Sequence, residues 1–154
     1  MNLIAFKQYF EAIATSHVGI VAFKYGGLEH LLNLSDGPTE TYPLLFLEKP
    51  NYGFEGSATN ILAKPRAAFV IVTCSDPQDR KTTDQLEEAM FAIATDIIAK
   101  MLDDVREGIL EWFEPAGASL DPIDHITLDA ALGWRFEFQI SDTIDLCVNP
   151  LKWN

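Results

Sequence analysis

The chain has 154 residues, 48% of them apolar, with ten Phe and three Trp, so it fits a single domain that buries roughly 70% of its unfolded surface without staples. Its 11 Lys and Arg stand against 23 Asp and Glu, a formal net charge of −12, which argues against wrapping nucleic acid or lying on an anionic membrane. The excess is uneven: residues 1–80 hold 6 basic and 8 acidic residues, net −2, and residues 81–154 hold 5 and 15, net −10.

Leu3, Phe6, Phe10, Ile13 and His17 recur at spacings of three and four, which predicts a helix over 3–16 that Asn2 can cap. The N-terminus has no basic region and its apolar stretch is broken by Lys7, Gln8 and Glu11. It does not read as a signal peptide, and no run approaches the length of a membrane span. The expectation is a soluble, cytoplasmic chain. Val18 to Phe23 reads as a short strand, Lys24 to Gly27 as a turn, and Leu28 to Thr41 as irregular structure.

Tyr42 to Glu48 reads as a strand with Pro43 at its start, where a missing amide donor does least harm. Residues 49–66 mix Pro, Gly and small polar side chains, and predict a loop or protruding hairpin arm anchored by Tyr52 and Phe54. Ala67 to Thr73 is uniformly apolar, as in a central strand covered on both faces. A long amphipathic helix follows over 84–107. Its caps are Thr82, Thr83 or Asp84, its stripe is Leu86, Met90, Ile93, Ile97, Met101 and Val105, widened by Phe91, Ile98 and Leu102, and its stop is Gly108. At about 36 Å it is long for one sheet.

Ile109 to Phe113 reads as a strand closed by Pro115 to Gly117, and Asp121 to Leu128 as a second extended piece. Residues 133–140 alternate without a fault: Trp134, Phe136, Phe138 and Ile140 on one side, Arg135, Glu137 and Gln139 on the other. The tail, 141–154, is expected to be extended. The predicted architecture is therefore one α/β (α+β) domain, with a mixed or antiparallel sheet of about 4–6 strands against the long helix and the shorter N-terminal one.

No catalytic or metal constellation stands out. His17, His30 and His125 have no partners in sequence, and a zinc site built from them with Asp121 or Asp124 would match no metal spacing. The glycines fit neither a P-loop nor a dinucleotide fingerprint, and no serine sits in a nucleophile elbow. Cys74 and Cys147 share no motif, and pairing between them stays open. Phe46, Tyr52 and Phe54 around the arm and Trp153 in the tail either fold back on their own core or meet a neighbouring subunit.

The order of parts, from the helix carrying Phe6-Lys-Gln-Tyr-Phe10 through Tyr42-Pro-Leu-Leu-Phe-Leu-Glu48, the apolar strand ending at Thr73 and the long helix to Leu132-Gly-Trp-Arg-Phe-Glu-Phe138, resembles the tail-terminator or tail-completion (minor tail) proteins of tailed phages and prophage-derived particles. The resemblance does not extend to 51–65 or 116–129. It implies an α/β subunit that closes into a ring, commonly of six, on the tail tube and joins it to the head. Such proteins assemble in the cytoplasm, enter the virion, use no cofactor and are not enzymes; their partners are their own copies, the tube and the head-tail connector, with DNA only as passing cargo. In that setting Asp103, Asp104, Glu107, Glu111 and Glu114 are candidates to line an acidic passage, against the simpler reading of solvated carboxylates. The alternative is a stand-alone module that binds a small ligand or peptide, with a hydrolase or metal enzyme and a DNA mimic behind it.

Overall fold

A computed structural model describes residues 2–27, 29, 42–57, 60–74, 80–124 and 131–141. In chain order these form α1 (Leu3–Ser16), β1 (Ala22–Gly26), β2 (Leu44–Glu48), β3 (Asn51–Ser57), β4 (Asn60–Cys74), α2 (Arg80–Arg106), β5 (Phe113–Ile123) and β6 (Ala131–Ile140). The strands make one mixed six-stranded sheet in the order β1-β2-β4-β6-β5, with β3 also paired to β4. β1 runs parallel to β2 and the other pairs are antiparallel. The α+β architecture expected from the sequence is the one observed.

Side-chain alternation explains the layers. On one face, Leu45, Leu47, Ala67, Phe69, Ile71, Leu132, Phe136 and Phe138 pack with Phe6, Phe10 and Ile13 of α1 and Met90, Ile93, Ile97 and Met101 of α2. Phe10 lies 5.8 Å from Phe69 and 6.3 Å from Phe138, ring centre to ring centre, so α1 is locked to the middle strands through aromatic contacts. On the other face Leu44, Phe46, Val70, Val72 and Ala131 form a second buried cluster. Burial on both faces is why β2 and the inner half of β4 are apolar throughout rather than alternating.

α1 keeps the predicted bounds: Asn2 Oδ1 accepts the Ile4 N–H at 2.9 Å, and His17 is already extended. α2 starts at Arg80, so Thr82, Thr83 and Asp84 lie within its first turns rather than capping it, and its 27 residues reach about 40 Å. Gly108, at φ +73°, ends it. The Ile109 N–H returns to Asp104 O at 2.8 Å and the Gly108 N–H to Val105 O at 3.1 Å, a Schellman turn.

That turn corrects one expectation. Ile109 and Leu110 both donate to Asp104 O, which leaves them no amide for a ladder, so 109–112 is not a strand. β5 begins at Phe113 and continues through Pro115 to Gly117. The register against β6 slips between Glu114 and Ser119, and Gly117 supplies the positive φ of +76° at that bulge. Lys24 to Gly26, expected in a turn, extend β1. In β6, a Cβ added at Gly133 would run into the Ile71 carbonyl, so glycine there permits β4 and β6 to approach.

β2 and β3 are successive partners of β4. From Leu47↔Phe69 to Asn51↔Arg66 the register slips by one residue, around Lys49 and Pro50. β6 accompanies β4 only as far as Arg66, and Pro65, which has no amide to donate, is where β4 leaves the sheet. Beyond it β3 and the outer half of β4 run on as a two-stranded hairpin, the arm expected over 49–66.

Candidate functional site

Three places concentrate polar or exposed aromatic chemistry. The first is an open hollow of about 400 Å³ between α2 and β6, lined by Asp84, Glu87, Glu88, Phe91 and Trp134. Phe91 is 42% exposed, although its spacing joined it to the core stripe. It meets Trp134 edge-on at 4.9 Å, and Trp134 Nε1–H donates to the Glu87 carbonyl at 3.1 Å, which fixes the indole as the hollow's floor. Three carboxylates around two aromatic rings favour a ligand with a cationic and an apolar part. Sequence reading missed this site, since its members lie on two elements far apart in the chain. The signal was Trp134 at the open end of an aromatic row.

The second lies on the opposite sheet face. Arg135 holds Glu48 in a two-pronged contact, Nε to Oε1 at 2.7 Å and Nη2 to Oε2 at 3.0 Å, and donates through Nη1 to Glu137 at 2.6 Å. Arg66 closes the group at 3.6 Å from Glu137. Hydrogen bonds to Glu48 and then to Glu137 hold the guanidinium still more firmly charged, against the cost of its partial burial. Each charge is answered within the group, which makes it a brace between β2, β4 and β6 rather than a reactive centre.

The third is Asp104, a buried carboxylate at the end of α2. Tyr9 Oη donates to it at 2.8 Å and Lys100 Nζ at 2.6 Å. Burial pushes the Asp104 carboxyl up, but the hydrogen bonds from Lys100 and Tyr9 outweigh it and hold the group below its ordinary range. The Tyr9 phenol is raised, by burial first and then by its bond to Asp104 and the charge there.

The residues singled out from sequence separate on inspection. Asp104 is 2% exposed and faces Tyr9, so it is withdrawn from the solvated acidic set; it belongs to the helix's inward stripe. Asp103, Glu107 and Glu111 are exposed and Glu114 is half-buried. Phe46 is 1% exposed inside the second core cluster, which corrects its placement on an interface. Tyr52 and Phe54 are 37% and 62% exposed on the arm. Trp153 and the tail over 142–154 lie outside the described residues, as do His30, His125 and Cys147. His17 is tied on both ring nitrogens: Nδ1 accepts the Gly19 N–H at 3.0 Å, so Nε2 carries the proton toward Asp96 at 3.3 Å. Among the described residues no group of three or more His, Cys, Asp or Glu could hold a metal, and no helix is long and apolar enough to cross a membrane.

No family model matches the chain and no solved structure matches it. A stretch of 80 residues, 46% of the chain, is 36% identical to a sucrose phosphorylase of Bifidobacterium adolescentis, and the chain covers 16% of that enzyme's length. So short a share of the enzyme carries no activity over to this chain.

Proposed function

We propose that the chain is a structural subunit that closes into a ring to cap or complete the tail tube of a phage or phage-like particle and to join it to the head, without catalysing a reaction. The observation that carries this reading is the arm. A hairpin that leaves its sheet and exposes Phe54 on 62% of its surface loses by staying in water and gains by meeting another chain. The order of elements that carries the resemblance to tail terminators supports the same reading. Asp103, Glu107, Glu111 and Glu114, gathered where α2 passes into β5, would give the ring an acidic inner wall that repels phosphate and lets DNA slide.

The test is to add the purified chain to growing tubes of the cognate tail-tube protein and image them by negative stain. A ring at one end and arrested growth are expected; bare ends and undisturbed elongation would remove the proposal. A second reading, a stand-alone binding module, draws on the hollow at Phe91 and Trp134. A chain that stays monomeric beside tubes while taking up a cationic peptide would favour it.

A further inference from the structure

We propose that the hollow lined by Asp84, Glu87, Glu88, Phe91 and Trp134 binds a linear aliphatic polyamine, its ammonium groups on the three carboxylates and its methylene chain against the two rings. The site stands whether or not the chain closes into a ring.

Spacing and charge carry the argument. Asp84, Glu87, Glu88 and Phe91 occupy positions i, i+3, i+4 and i+7 of α2, so one face of the helix bears all four. Three like charges at these spacings repel one another and weaken the helix. The helix gains nothing in return: its first turn carries no acidic residue, and the dipole that favours carboxylates at an N-terminus fades beyond that turn. Among the described residues no Lys, Arg or His pairs with any of the three. Their charge is left for something that enters the hollow.

The rings select the kind of cation. Phe91 and Trp134 meet at 63° and form two walls of a corner, with the indole held in place by its bond to the Glu87 carbonyl. A hydrated metal ion gains nothing from such walls, and among the described residues no group of carboxylates is close enough to hold one. An alkylammonium does gain: the methylenes beside its nitrogen carry part of the positive charge onto the ring faces, while its N–H groups donate to carboxylates. Number and length then choose among alkylammoniums. A single ammonium would leave two of the three carboxylates unanswered. Asp84 and Glu88 stand about 6 Å apart along the helix axis, at about 1.5 Å per residue. A chain of four methylenes sets its two nitrogens about 6 Å apart as well, at about 1.25 Å for each of its five bonds. The hollow, open and about 400 Å³ in volume, is of a size that takes a small organic ligand.

Titration calorimetry at about 0.15 M salt, with spermidine, butane-1,4-diamine and butylamine as probes, tests the site. Spermidine is expected to bind saturably and one to one, the diamine more weakly, and the monoamine more weakly than spermidine by at least about tenfold. Phe91→Ala and Glu88→Gln are each expected to weaken spermidine by at least about fivefold. Glu11→Gln, which removes the same charge from an exposed position on α1, is expected to weaken it by less than about twofold. Circular dichroism and thermal melts separate these effects from misfolding. In nuclear magnetic resonance spectra, spermidine is expected to move the indole N–H signal that Trp134→Phe removes. Binding that never saturates, or that Glu11→Gln weakens as much as Glu88→Gln, would reduce the effect to a general attraction of polycations to a chain of net −12 and overturn the proposal. So would failure of all three amines to bind. A lysine-rich peptide that moves the Trp134 signal where spermidine does not would overturn it too, and assign the hollow to a protein partner. None of these measurements involves tail tubes, so bare tube ends would remove the ring reading and leave this site in place.

Discussion

Asp104 shows how a residue's chemistry is decided by where its helix turns it. Asp103 points to water, and one position later Asp104 points inward to Tyr9 and Lys100. Its carboxyl is held below the ordinary value, so its contribution is complete at neutral pH and is lost as pH falls through that depressed value. Asp104→Asn keeps an acceptor for Tyr9 but removes the charge. The expected cost at pH 7 is about 1 to 3 kcal/mol, shrinking as pH falls through the depressed value of the native carboxyl. Urea unfolding at a series of pH values from neutral downward checks this, and a difference that does not shrink with acid would show that shape rather than charge is what the site needs.

At the level of elements, period carried the reading and local punctuation misled it. The stripe Phe6, Phe10, Ile13 located α1 to its bounds, and the alternation of 134–140 placed Phe136 and Phe138 in the core, because burial imposes these periods directly. Gly26 and Pro115-Ala-Gly117 resemble turns by composition, yet each lies within a strand, since a neighbouring strand holds the backbone and a bulge absorbs the misfit. The hollow was illegible for another reason: whether Phe91 faces inward depends on how α2 is rotated over β6, which helix spacing alone leaves open. The arm's exposure has a measurable consequence. Phe69 to Val72 are paired on both sides, by β2 and β6, while Asn51 to Ser57 are paired to β4 alone in the hairpin. Hydrogen exchange is therefore expected to show protection in 69–72 that is lost only on global unfolding, and protection in 51–57 that is lost by local opening, at least about tenfold faster. Equal protection in the isolated monomer would mean that the arm is buttressed by something other than β4.

For the molecule as a whole, the proposed self-association sets charge repulsion against apolar contact. Copies of net charge −12 repel across their whole surfaces, whereas an apolar contact through the exposed Tyr52 and Phe54 would act over a few ångströms. Salt screens the first more than the second, because the Debye length shrinks to about 8 Å at 0.15 M, shorter than the distances over which whole-molecule repulsion acts and longer than the contact itself. Burying Phe54 in such a contact adds an apolar contribution that moderate salt leaves intact. Association is therefore expected to strengthen as salt rises from about 0.02 M to about 0.15 M and then to level off, as read by sedimentation equilibrium. Weakening across the whole range would mean that attraction between opposite charges, rather than Phe54, dominates the contact, and Phe54→Ala would then associate as well as the parent.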